Sequence, residues 1–437
     1  MTGATADAGR EVPDATGSRA LRSRPFPLFW TSQATSKFGS AMTVVVLPLV
    51  AVDTLHAGTF LVGVLQAAAW LPWLVIGLVV GAWVDRVSRW RVMLLSDVVS
   101  AVAFVSVPVA WWLGWLTVWH LFVVALIGGV AAVFYSTAYN AYLPALLPGA
   151  DLAAANSRLQ GTEKAAQVAG PGLGGVLAQA IGAAGVLLVD AVTFVVSAVC
   201  LRFLRVPERH LRAEKPSGGR TRGLLREIGA GIRFVGTDGY LRSLTLYAAV
   251  SNLASGALQA ILVVFPARTV GLPPATIGVL IGAIGVGGVL GAVVAAPLSR
   301  RFGTARTIVL CEVIAMPFAL LVPLTHNGFG LVFLVVGGVV VTAGVVPPNV
   351  ISAAFVQTYC PAGMIGRISA SMRVVNFGTL PLGALLGGAL GESLGPRATM
   401  WIIAGTLTAC TVLLLCGPVA RVRDLPTRPE TAGRWHE

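Results

Sequence analysis

Apolar residues in this chain fall in long unbroken runs, and the polar residues gather in short stretches between them. Twelve runs are long enough to cross a bilayer core as helices, which takes about 17 to 25 residues each. They lie near 27–52, 59–80, 92–113, 118–142, 157–180, 184–204, 243–266, 276–298, 307–325, 329–355, 368–391 and 398–418. A backbone inside hydrocarbon must satisfy its own hydrogen bonds, so runs of this length predict an all-α chain with twelve transmembrane helices. The longest polar interval, 205–242, contains "EKPSGGRTRG", whose Pro, Ser and Gly mark a flexible linker and divide the spans six and six. Within it Leu225, Ile228, Ile232 and Val235 recur at helical spacing, with Arg226, Glu227 and Arg233 off the stripe. An amphipathic helix lying in the membrane interface is expected there.

The domain plan is therefore a polar tail over 1–25, a six-helix bundle over 26–204, the linker over 205–242, a second bundle over 243–418 and a tail over 419–437. The first tail holds Arg10, Arg19, Arg22 and Arg24 and no apolar core, so no cleavable leader is expected. Composition agrees with a polytopic membrane protein: 56% hydrophobic residues, 11% charged and a mean hydropathy of +0.82.

A formal charge of +13 raises the question of nucleic acid, and the placement of the charges answers it. Arginines collect at 86, 89 and 91, from Arg202 to Arg242, at 300, 301, 306 and 367, and from Arg421 to Arg434, always in alternate loops. The other loops keep Arg268 and Arg397. That asymmetry is the positive-inside rule, and it predicts both termini in the cytoplasm and no nucleic-acid partner. Cys200, Cys311, Cys360, Cys410 and Cys416 show no metal or redox spacing, and His56, His120, His210, His326 and His436 stand apart, so no metal, cofactor or enzymatic site is expected.

The halves repeat. "GGVLAQAIG" from Gly174 matches "GGALGESLG" from Gly387 at an offset of 213, which sets Gly182 over Gly395. "GLVVGAWVDR" from Gly77 matches "GAVVAAPLSR" from Gly291, and one residue further on Asp97 falls over Glu312. Two pseudo-symmetric six-helix bundles in parallel repeat are a transporter architecture. The loop after the second span carries Gly81, Asp85, Arg86, Arg89 and Arg91 in "GAWVDRVSRWR", and it resembles the G-x-x-x-D-R-x-x-R signature of the major facilitator superfamily. Gly81 is expected to permit close backbone approach, and Asp85 to latch a neighbouring helix end or arginine, with the N-terminal copy dominant because Ser299 and Ala295 replace acid and glycine in the second half.

The fifth span holds Gly161, Gly170, Pro171, Gly174 and Gly175, and G-P-x-x-G-G is similar to the antiporter motif of exporters in that superfamily. Proline removes a backbone donor and bends the helix, while glycines admit a facing helix, expected to come from the other half. The stretch from Tyr142 to Gly175, followed by "LLVDAVTFVVSAV", resembles the transmembrane secretion effector branch, which includes siderophore, macrolide and multidrug exporters. The resemblance runs from about Phe26 to Val419. It implies residence in the bacterial cytoplasmic membrane, export of a small organic molecule and proton antiport by alternating access. An importer of the same fold is the alternative.

The chain departs from many proton-coupled exporters in one respect: its fourth span contains no charged residue. Embedded acids elsewhere are Asp97, Asp190 and Glu312; Asp97 and Glu312 are expected to pair toward Arg91 and Arg306, about 9 Å of helix rise away, with proton carriage as the alternative, and Asp190, near the outer end of the sixth span, carries the same two readings. Lys37, near the middle of the first span, is either a substrate or proton-coupling group, or a lysine that snorkels or pairs with a neighbouring acid. By resemblance to the fold, the cavity is lined by Gln66, Trp70, Tyr135, Tyr139, Asn140, Gln167, Tyr247, Asn252, Gln259, Asn349 and Asn376. So few charges suit a bulky, partly apolar substrate. Membrane lipids are the other expected partners, and the chain is expected to work as a monomer.

Overall fold

The computed structural model describes residues 25–84, 86–147, 149–204, 229, 231–360 and 364–427, and among these it is helical throughout, with no strand. The N-terminal six helices are α1 (Pro25–Leu49), α2 (Thr59–Val75 and Gly77–Val84), α3 (Arg89–Trp112), α4 (Val118–Leu146), α5 (Gly149–Ile181) and α6 (Ala183–Phe203). The C-terminal six are α7 (Gly239–Ile261), α8 (Pro274–Phe302), α9 (Thr304–Ala315), α10 (Leu331–Tyr359), α11 (Ile365–Ser393) and α12 (Pro396–Ala409 and Thr411–Leu415). Ten of the described helical segments are long and apolar enough to cross a membrane, with mean hydropathy from 1.2 to 2.6. The remaining two expected spans are α2, which turns at Ile76 after Pro72, and α5, whose first half carries Asp151, Arg158, Glu163 and Lys164. Twelve transmembrane helices result.

Prolines fall both inside helices, as Pro347 and Pro348 of α10 and Pro381 of α11 do, and near their ends. Downstream of Ala315 the ninth span tightens into a 3₁₀ helix, Met316–Leu324, which contains Pro317 and Pro323. Several helices run past the apolar spans at the arginine-rich end, where water replaces lipid: α5 starts at Gly149 and α10 reaches Tyr359. The α5–α6 and α11–α12 joints repeat as the sequence suggests. Gly182 (φ +79°) and Gly395 (φ +84°) occupy matching positive-φ turns that a side chain would strain.

Buried residues divide into three cores, and the division describes the molecule. One core, including Met42, Val62, Leu65, Leu187, Ile261, Phe265, Ile277 and Ala384, draws on both halves and sits toward the arginine-poor end. The two others sit toward the arginine-rich end. One uses N-terminal residues such as Phe29, Met93 and Tyr142; the other uses C-terminal residues such as Phe234, Leu241 and Tyr359. The halves are thus welded at one end and separately packed at the other. The main contacts between them run α5 on α8 and α2 on α11.

The helix expected before α7 is present over residues 231–237, but its buried face differs from the predicted stripe. Val235 is buried beside Phe234, whereas Ile232 is 47% exposed; Leu225 and Ile228 lie outside the described residues. The reason is docking. Gly231 faces the Arg367 carbonyl and Ser371 of α11, which turns the helix onto the bundle.

Candidate functional site

Polar residues on α1 organise the N-terminal half. Ser32, Gln33, Ser36 and Lys37 fall on neighbouring turns of one face, as i, i+4 spacing requires. Lys37 Nζ lies 3.2 Å from Glu163 Oε1 on α5, with both side chains partly exposed. Gln33, Tyr139 and Thr162 share the cleft that this ion pair lines. One turn before Lys37, Gln33 donates to the Tyr135 hydroxyl of α4. Deeper still, Ser197 of α6 donates to Asp97 of α3 (2.6 Å) and meets the Ser32 hydroxyl (2.8 Å). Tyr135 also lies against Ser32 and Ser197. A run of polar groups therefore leads from buried Asp97 through Ser197, Ser32, Tyr135 and Gln33 to the Lys37–Glu163 pair.

This geometry gives Lys37 a partner and corrects other expectations. The lysine pairs with an acid, Glu163, whose role no local pattern in the sequence announces; its signal is position, two turns before Gly170 on the face that α5 turns toward α1. Asp97 does not pair with Arg91: it accepts from the Ser197 hydroxyl of α6, which packs against α3. Asp190 bonds Thr43 of α1 and the neighbouring Thr193. Glu312 is buried beside Tyr247 rather than joined to Arg306, and its Oε2 has no partner.

Other expected residues scatter. Trp70 donates to Gln259 across the halves (3.1 Å), and Trp70 and Trp73 stack with Phe377 of α11, which adds an aromatic contact between the halves. Tyr247 is buried, the Asn376 Oδ1 is buried without a partner, and Gln66 and Asn252 are half-buried. Asn140, Gln167 and Asn349 are exposed, and Gln167 accepts from Lys164 (3.0 Å).

In the loop after α2, Asp85 lies outside the described residues. Arg86 and Arg91 are exposed, and Arg89 donates to the Ala141 carbonyl of α4 (3.0 Å). Gly81 faces open space, so the close approach expected there is absent in this arrangement, in which the arginine-rich ends of the halves are packed apart.

The glycines of α5 serve two neighbours, not one. A Cβ on Gly170 would come within 2.5 Å of Ala41, and one on Gly174 within 3.1 Å of Met42; both belong to α1, in the same half. Of the motif glycines, Gly175 alone meets the other half, where an added Cβ would come within 2.8 Å of the Gly278 Cα of α8, while Gly161 faces open space. The repeat carries the same device: in α11, Gly387 abuts Ala257 of α7, and Gly388 abuts Gly63 of α2. Close packing is therefore common to both halves, and Pro171 sets the α5 copy apart, since Ala384 stands at its repeat position.

Twelve helices in two repeated halves, welded at one end and separately packed at the other, are the fold of a secondary transporter of the major facilitator type. Solved structures agree: a nucleoside transporter, NupG, superposes with a TM-score of 0.72 at 12% identity, covering 90% of this chain and 98% of that one. A bacterial homologue of the iron transporter ferroportin in an inward-facing state gives 0.69 at 16% identity, over 89% and 97%. The chain belongs to the transmembrane secretion effector family, whose model matches residues 15–437. Among its relatives are the multidrug efflux pump Tap of Mycolicibacterium fortuitum, 28% identical over 93% of this chain and 98% of that protein, and macrolide efflux protein A of Streptococcus pyogenes, 22% identical over 92% and 97%.

Proposed function

We propose that this protein exports a small, partly apolar organic molecule of drug, antibiotic or siderophore type across the bacterial cell membrane, in exchange for protons, by rocking its two halves about a central cleft. The observation that carries the reading is the Lys37–Glu163 pair, which bridges α1 and α5 in the cleft and continues through hydrogen-bonding groups to buried Asp97. An ion pair at membrane depth is costly to keep and marks a coupling or binding site. Proton arrival on Glu163 would free Lys37; substrate arrival would restore the pair or replace one member. The similarity to efflux pumps supports export as the direction. With the arginine-rich loops in the cytoplasm, the separately packed ends of the halves would face inward.

The test is uptake of a labelled macrolide, and separately of a fluorescent apolar cation, into everted vesicles holding the full chain. Acidifying the lumen should drive uptake, and a protonophore should abolish it. Uptake that ignores the proton gradient would exclude antiport, and accumulation only in right-side-out vesicles would make the protein an importer.

A further inference from the structure

The halves meet at the arginine-poor end along two seams related by the repeat, α5 on α8 and α2 on α11. Each is a backbone crossing, Gly175 on Gly278 in one and Gly388 on Gly63 in the other. In each, a side chain near the end of one helix also reaches the start of the helix it crosses. Gln179 Oε1 of α5 accepts from the Ala275 N–H of α8 at 3.3 Å. Glu392 Oε2 of α11 accepts from the Thr59 and Phe60 N–H groups of α2, at 2.6 and 3.3 Å. Gln179 stands over Glu392 at the same offset of 213 that sets Gly174 over Gly387. The repeat has thus preserved the cap and changed its charge.

The difference has a direction. The first N–H groups of a helix carry partial positive charge, so a carboxylate there is held more firmly than an amide oxygen. The α2 side has a further strut: Arg268, in the turn after α7, donates to the Ala57 carbonyl at 2.6 Å. Asp53, just past the end of α1, faces both that arginine and His56.

We propose that the two seams differ in strength: α2–α11 holds while α5–α8 parts first, with Glu392 and Gln179 as the positioning residues that set the order. This rests on the reading of the chain as an alternating-access transporter. Opening toward the arginine-poor side then begins as a tilt about the α2–α11 contact, and the cleft first admits water between α5 and α8.

The order is readable as distances in the purified full chain in lipid nanodiscs, free of native cysteines, with spin labels at Ile181 and Pro273 across one seam and at Phe60 and Leu394 across the other. The unaltered seams should show a larger long-distance population for the first pair than for the second. Glu392→Gln should raise the open fraction at α2–α11 about two- to fivefold. The exchange of both caps, Gln179→Glu with Glu392→Gln, together with Arg268→Gln to remove the α2-side strut, should reverse the order. These variants keep an acceptor at each cap, and unchanged melting temperatures would separate a shift in conformation from loss of fold. Equal opening of both seams, or an exchange that leaves the order unchanged, overturns the order alone. No long-distance population at either seam in any variant overturns alternating access and the order with it.

Discussion

Lys37 and Glu163 are the residues on which transport is most exposed to a single change. Each holds the other's charge in a cleft where neither is fully hydrated, so removing one leaves the other uncompensated. Lys37→Met should insert and fold yet lower transport about tenfold or more, whereas Lys37→Arg should keep part of it. Glu163→Gln should transport poorly and lose its response to the proton gradient. Initial rates in vesicles matched for protein content are the measurement, and full transport with unchanged pH dependence in Lys37→Met would remove both coupling and substrate roles. Ser197 offers a contrasting case. Ser197→Ala deprives buried Asp97 of its donor, which should cost about 1–3 kcal/mol of stability and appear first as a lower melting temperature.

At the scale of the helix, glycine placement governs what moves against what. Gly278 of α8 touches the Pro171 carbonyl and the Gly175 Cα of α5, so Gly278→Leu should prevent the seam from closing and abolish transport, with an overpacking cost of about 1–3 kcal/mol in the closed arrangement. Val279, its neighbour, is 53% exposed, and Val279→Leu should be nearly silent. Equal transport by the two variants would remove the seam from the mechanism. Helix number, the repeat and the two glycine joints were legible in the chain, because hydropathy and positive-φ turns are local properties. Partners were not. Asp97 looked destined for Arg91, less than two turns away, yet Ser197 reaches it from α6, a helix a hundred residues on. Likewise G-P-x-x-G-G suggested one facing helix, where the fold supplies two, because glycines four residues apart share a face and Gly175 lies about 100° around from Gly174. Glu163 went unremarked because its significance depends on Lys37, 126 residues earlier.

For the whole molecule, charge asymmetry proposes an orientation that surface labelling can check. In a cysteine-free background, a cysteine replacing Phe329, which is 96% exposed at the arginine-poor end, should react with a membrane-impermeant maleimide on intact cells. One replacing Val87, in the arginine-rich loop after α2, should react only after the membrane is opened. The opposite pattern would invert the protein in the membrane and, with it, the direction in which the cleft faces.

The two seams also differ in kind from ordinary side-chain packing. Interlocked leucines must be withdrawn like the teeth of a zipper before helices part, and each withdrawal exposes large apolar groups. Gly63 against Gly388 and Gly175 against Gly278 present smooth backbone to smooth backbone, nearer to a plain bearing. At these crossings the halves can slide and part without withdrawing a side chain, so resistance to opening comes from the apolar residues packed around them, such as Val62 and Ile277, rather than from the crossings themselves.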